Sequence, residues 1–255
     1  MKITRAVVPS LFTVLNIFCG FLSLVNTARG DYATAAWFII VAAICDVLDG
    51  AMARITKSYS EFGVEFDSLS DVVSFGVAPS FLAYTIHLHS LGSIGMLITV
   101  MPMVFGAMRL ARFNVQLVGF NKDYFRGLPI PSTALTISSF ILMFHRELSS
   151  HDGLEAGLLS PMIVVLSLLM VSNIKYDTIP KFTKRSIVRH PLRFTVAVAS
   201  LTAIVITQGR ALFPFFVFYV MTGPLRYVTQ AIQHALHPGE KGIDEEDTEM
   251  TSVDV

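Results

Sequence analysis

Four aspartates stand where the surrounding sequence is otherwise apolar: Asp46 and Asp49, then Asp67 and Asp71. An aspartate at the centre of a membrane helix costs roughly 2.5–3.5 kcal/mol on insertion scales. Acids at such depth usually face a bundle interior or a water-filled cavity, and they mark function. Asp46 and Asp49 are three residues apart, and Asp67 and Asp71 four, so each pair shares a helix face. Gly50 and Ala53 fall on the face of Asp46, and Ser74 and Ala78 extend the stripe begun by Asp67 and Asp71. Small residues there leave room for a bulky ligand and let another helix approach. Two helices can thus present four carboxylates across a narrow gap. Such charges repel unless cations intervene. Oxygen-only ligands select hard divalent ions such as Mg²⁺ or Mn²⁺. Two ions about 3.5–4 Å apart would form a clamp for phosphoryl chemistry, with Asp46, Asp49, Asp67 and Asp71 as the metal ligands. Arg54 stands where its guanidinium could fork onto phosphate oxygens. Gly63, in the short loop with Lys57, Ser58 and Tyr59, would permit a tight turn or close approach to a ligand. Taken singly, these residues have plainer readings. Asp67 or Asp31 could cap a helix, and Arg54 could anchor a span.

The elements that must position these residues are membrane helices. The chain has 255 residues, 53% apolar and 15% charged, with a mean hydropathy of +0.61. Water-soluble domains carry about 25% charged residues, so the composition excludes a soluble enzyme, a disordered chain and a disulfide scaffold. Lys plus Arg and Asp plus Glu both number 19, and no charge surplus points to nucleic acid. A spanning helix needs about 20 largely apolar residues. Eight segments are candidates: 7–27, 33–53, 67–88, 92–113, 131–147, 155–173, 193–208 and 211–230. The expected fold is an all-α polytopic bundle of about eight transmembrane helices over residues 1–236, with an acidic disordered tail at 237–255. Lys2 and Arg5 precede the first run, but that run is too long for a signal peptide and no small-residue cleavage site follows it.

Orientation follows from the basic residues. With the N-terminus inside, 16 of the 19 Lys and Arg fall on the cytoplasmic side, leaving Arg29, Arg146 and Arg210 outside. Both termini are then cytoplasmic, and spans two and three bring their carboxylates together on that side. The basic loop at 173–193 suits anionic lipid headgroups. Cys19 and Cys45 lie in apolar runs and read as packing thiols. Trp37 with Tyr32 fits an interfacial anchor, and the scattered histidines suggest no cofactor.

The stretch from Asp46 to Asp71 resembles the signature of the CDP-alcohol phosphotransferase family, D-x2-D-G-x2-A-R-x8-G-x3-D-x3-D. Asp46, Asp49, Gly50, Ala53, Arg54, Gly63, Asp67 and Asp71 match it in full. Shorter segments at 9–16, 18–21, 73–79, 109–114 and 125–131 resemble the branch that uses serine as acceptor. The resemblance implies a membrane-embedded, often homodimeric enzyme that moves a phosphatidyl group from CDP-diacylglycerol to the hydroxyl of L-serine, giving phosphatidylserine and CMP with Mg²⁺ or Mn²⁺. It implies that Asp49, Gly50, Ala53, Arg54 and Gly63 hold the CDP moiety and that Asp67 and Asp71 are catalytic. Asp71 is then either the base for the acceptor hydroxyl or only a metal ligand.

For the serine carboxylate the candidates are Arg109, Arg112 and Arg126, all placed on the cytoplasmic side. Arg112 is favoured over Arg126, since it and Asn114 follow an otherwise apolar helix; all three could equally be topology anchors. Pro129 and Pro131 would shape the entry to the fifth span. The acceptor could instead be glycerol-3-phosphate or an inositol phosphate, which would need a denser basic pocket. A cation transporter would explain the four acids but not Gly50, Ala53, Arg54 and Gly63 at their fixed offsets.

Overall fold

The computed structural model describes residues 7–56, 60–117, 125–150, 154–176 and 211–236. Within them the chain forms α1 (Val7–Ala28), α2 (Tyr32–Thr56), α3 (Glu61–Asp71), a wide π turn (Val72–Val77), α4 (Ala78–Ile86), a 3₁₀ turn (Leu88–Leu91), α5 (Gly92–Leu117), α6 (Ile130–Ser150), α7 (Leu154–Val171) and α8 (Leu212–Leu236). Two short strands, β1 (Phe125–Arg126) and β2 (Lys175–Tyr176), pair antiparallel with Phe125 opposite Tyr176. The architecture is all-helical, as apolar runs in a bilayer must be, because each backbone N–H and C=O needs a partner inside its own segment.

Among the described residues, four helical stretches are long and apolar enough to cross a membrane: Leu11–Ala28, Tyr32–Thr56, Glu61–Ile86 and Leu88–Val115. Ile130–Phe144 and Gly157–Val171 are shorter apolar helices. Helices therefore stand at seven of the eight expected places. The segment 193–208 lies outside the described residues, as do the basic loop beyond Tyr176 and the acidic tail.

The third span departs from its expected form. It begins at Glu61 rather than at residue 67, and Ser60 caps it by accepting the Gly63 amide at 3.0 Å. Gly63 is therefore in the first helical turn, not in a loop. Asp67 lies inside α3 and caps nothing; Asp31 is the cap, accepting the Thr34 amide at the start of α2 at 3.1 Å. Gly30, at φ +79°, ends α1 in the left-handed region that glycine enters without strain. The π turn precedes Pro79, which has no N–H to give to the helix and whose ring crowds the preceding turn. One wider turn relieves this, and such turns recur at functional sites. α6 has its own break at Phe144 (φ −118°, ψ 18°).

Packing centres on α1 and α2. Ala35, Ala36, Ile39, Ile40, Ala42 and Ala43 form the buried face of α2, in the helical rhythm expected of one stripe. Phe75, Leu82 and Ile86 of the broken third helix, and Ile130, Ile137 and Ile141 of α6, complete the interior. Cys19 is buried and Cys45 half-buried, both as free thiols.

Candidate active site

α2 supplies Asp46 and Asp49, and α3 supplies Asp67 and Asp71. Asp46, Asp67 and Asp71 each offer a carboxylate oxygen, and these oxygens all lie within 4.8 Å of one another. Asp49 is as buried as Asp71 but stands outside this group. Its Oδ2 instead accepts a hydrogen bond from Thr13 Oγ1 on α1. Helical geometry permits this and Thr13 fixes it: three residues advance about 4.5 Å along the axis and stop about 60° short of a full turn, so Asp49 can turn to the Thr13 hydroxyl. Asp49 is thereby swung toward α1. The arrangement is a trio with a fourth acid on its flank, rather than four equivalent ligands.

α1 carries the rest of the frame. Thr13, Asn16, Ser23 and Thr27 are all buried, and with Gly20 they recur every three or four residues along one face. Asn16 Nδ2 donates to Asp71 Oδ1 at 3.2 Å. Ser70 Oγ donates to the Thr13 carbonyl at 3.2 Å, and Ser74 Oγ donates to the Asn16 carbonyl at 2.9 Å. Gly20 makes this approach possible, since a Cβ there would run into Ser74 Oγ and lie 2.8 Å from Ser74 Cα. Sequence reasoning gave α1 no role at the site. The signal was present as a polar and small-residue stripe at helical spacing inside an apolar span.

The other expected residues are distributed around this centre. Gly50 is exposed, and a Cβ there would meet nothing within 4 Å among the described residues, which leave the face beside Asp46 and Asp49 open. Ala53 is half-buried. Arg54 is exposed, and its Nε donates to the Gly50 carbonyl at 2.9 Å, holding the guanidinium along the last turns of α2. Arg109 lies inward from α5, within electrostatic reach of Asp71, and its buried Nε has no hydrogen-bond partner among the described residues. Arg112, favoured from the sequence, is exposed. Arg126 lies in β1, opposite Lys175. Asn114 bridges α5 to α3 through Ser68 Oγ (3.0 Å) and Glu65 Oε2 (3.3 Å).

The trio suits a hard divalent cation. Its donors are all carboxylate oxygens, the ligand type that Mg²⁺ and Mn²⁺ take. Asp67 Oδ1 and Asp49 Oδ1 are buried without a hydrogen-bond partner among the described residues, and a buried acceptor left so is costly unless something else satisfies it. Asp46, Asp67 and Asp71 are the residues placed to hold an ion, with Asp49 adjacent.

Comparison with known proteins agrees with this chemistry. The family model described as CDP-alcohol phosphatidyltransferase matches residues 6–174, more than half of the chain. The protein belongs to that family. Among its relatives, the CDP-diacylglycerol--serine O-phosphatidyltransferase of Helicobacter pylori is 37% identical over 86% of this chain and 90% of the relative. An enzyme of the same name from Bacillus subtilis is 34% identical over 70% of this chain and 93% of the relative. The archaetidylserine synthase of Methanothermobacter thermautotrophicus is 39% identical over 70% of this chain and 73% of the relative.

Proposed function

We propose that the protein is a membrane enzyme that transfers the phosphatidyl group of CDP-diacylglycerol to the hydroxyl of L-serine, giving phosphatidylserine and CMP. The observation that carries the chemistry is the convergence of Asp46, Asp67 and Asp71 inside an apolar bundle. The relatives' shared name favours serine over glycerol-3-phosphate or an inositol phosphate as acceptor.

Bound Mg²⁺ or Mn²⁺, two ions in this reading, would supply charge neutralisation at the phosphate oxygens. The trio would hold one ion, and Asp49, with its unpartnered Oδ1, offers a ligand for the second. The chain's own residues do the rest. The open face at Gly50 and Ala53 admits the CDP moiety between α2 and the acids, with Arg54 at its rim to meet phosphate and Gly63 on the opposing helix. The donor's acyl chains remain in lipid along the exposed apolar faces. Asp71 lies where it could take the proton of the serine hydroxyl or ligate metal, with Asp67 beside it. A neutral hydroxyl is a weak nucleophile until a carboxylate or metal activates it. Arg109 is better placed than Arg112 to meet the serine carboxylate, because it lies within electrostatic reach of Asp71 while Arg112 is exposed; Arg126 stays a candidate. Holding donor and acceptor in line then supplies much of the rate.

In this proposal the chain spans the cytoplasmic membrane eight times as a homodimer, with both termini and the site on the cytoplasmic side and the acidic tail beyond residue 236. The distribution of Lys and Arg supports that orientation. The deciding experiment is CMP release by the purified protein with CDP-diacylglycerol, Mn²⁺ or Mg²⁺, and serine, glycerol-3-phosphate or inositol phosphate in turn. Mass spectrometry identifies the lipid. Phosphatidylserine formed with serine alone is the expected result; a different lipid product reassigns the acceptor, and no CMP with any acceptor overturns the reading.

A further inference from the structure

α1 meets the broken third helix through two kinds of contact. Its backbone carbonyls at Thr13 and Asn16 accept from Ser70 and Ser74, one helical turn apart. These bonds set how α1 lies on its neighbour, and they need no particular side chain at residue 16. The Asn16 side chain points elsewhere: its Nδ2 reaches Asp71 Oδ1 at 3.2 Å. The residue is fully buried, and its own Oδ1 has no hydrogen-bond partner among the described residues. An apolar side chain of the same size would avoid that cost while keeping the helix contact. The amide orientation is also fixed, because the reverse would set its oxygen against a carboxylate.

We propose that Asn16 is a positioning residue of the cation site, holding the Asp71 carboxylate in place beside Asp46 and Asp67. Asp71 is the last residue of α3, directly before the wide turn at Val72–Val77, and the Asn16 amide reaches its carboxylate from α1. One oxygen tied to the amide limits the torsions open to the carboxylate, so less freedom is lost when it ligates an ion. Partners of metal ligands act in this way, and their loss typically weakens metal affinity roughly 10- to 100-fold. Thr13 plays the matching part toward Asp49 on α2, so that α1 governs one acid from each helix.

The inference rests on the reading that the trio holds a divalent cation, and the test separates the two. Mn²⁺ is titrated into the full-length protein in detergent, and free ion is read by electron paramagnetic resonance. Asn16→Leu removes the donor at similar size. Asn16→Ser, too short to reach Asp71, serves if the leucine variant does not fold. Ser74→Ala is the control, because it removes a buried hydrogen bond from the same helix contact without touching a carboxylate. The Asn16 variants should bind Mn²⁺ roughly 10- to 100-fold more weakly, with Ser74→Ala close to the unaltered chain. Unchanged Mn²⁺ binding in a folded Asn16 variant, or an equal loss in Ser74→Ala, overturns the proposal. No Mn²⁺ binding by the unaltered chain overturns the metal reading itself, and this inference with it.

Discussion

Thr13 Oγ1 on α1 donates to Asp49 Oδ2 on α2, and this bond separates Asp49 from the three acids that converge. The four aspartates should therefore not respond alike to substitution. Asp46→Asn, Asp67→Asn and Asp71→Asn each remove a charge from the trio and should abolish tight Mn²⁺ binding. Activity should fall by more than the roughly 100-fold typical of losing a supporting partner. Asp49→Asn keeps an acceptor for Thr13 and leaves the trio intact. It should retain one Mn²⁺ per chain while CMP release falls. Equal loss of the first Mn²⁺ in all four variants would contradict the trio.

Gly20→Ala tests the closeness of α1 to the third helix. The added Cβ would meet Ser74, whose hydroxyl is itself bonded to the Asn16 carbonyl. Overpacking of this kind costs about 1–3 kcal/mol. The variant should melt earlier in detergent and lose activity along with stability. A melting temperature equal to that of the unaltered chain would mean that α1 lies further away.

How much of this was legible in the sequence differs from helix to helix. The acids of α2 and α3 stood out because charge in an apolar run is rare and helical spacing is short-range arithmetic. Their division into three and one did not, because it depends on Thr13, 36 residues away in sequence. The start of the third span was placed late, at residue 67, because Glu61 and Glu65 make its first two turns look like a loop. The π turn at Val72–Val77 was hidden because a strict helical count runs through it unbroken. Arg112 is favoured over Arg126 from its place at the end of an apolar run, yet Arg112 is exposed and it is Arg109, half-buried, that comes within electrostatic reach of Asp71.

Gly50 gives the opposite expectation to Gly20. Among the described residues nothing lies within 4 Å of a Cβ built there, and the residue is inside α2. Alanine favours a helix interior over glycine by about 0.5–1 kcal/mol, so Gly50→Ala should melt no lower than the unaltered chain. A larger side chain, as in Gly50→Leu, should fold equally well but fill the face that the CDP moiety would occupy. Its KM for CDP-diacylglycerol should rise while the KM for serine stays constant. A normal KM for the donor would move the nucleotide away from α2.

Tyr176 ties the end of β2 to α8, its hydroxyl donating to the Val220 carbonyl at 3.2 Å. Burial, with a smaller contribution from nearby Tyr219, pushes its phenol from 10.0 up to about 12. The fold thus favours the protonated form. The stabilisation is complete below pH 10, and it declines as pH rises from there through about 12. Tyr176→Phe should lower stability at neutral pH by about 0.5–1.5 kcal/mol and flatten the alkaline decline in that window. An unchanged alkaline profile would locate the transition on another group.

Arg109 and Arg112 present the sharpest choice at the acceptor side. Arg109 lies inward, within electrostatic reach of Asp71, with a buried Nε that has no hydrogen-bond partner among the described residues, whereas Arg112 is exposed. A buried guanidinium N–H left without an acceptor is costly, and the carboxylate of serine would satisfy it with a charge-assisted, forked pair. Arg109→Lys keeps a positive charge but loses the fork. It should raise the serine KM by about 10- to 100-fold, the size of one hydrogen bond between charged groups, with a smaller change in the KM for CDP-diacylglycerol. Arg112→Ala should leave both near the unaltered values. Serinol, which keeps the amine and a hydroxyl but has no carboxylate, supplies the control for mere disturbance of Asp71. The unaltered enzyme should prefer serine to serinol strongly, and Arg109→Lys should lose much of that preference. If Arg112→Ala erased the preference and Arg109→Lys kept it, the carboxylate would belong to the outward-facing arginine, as the sequence alone suggested.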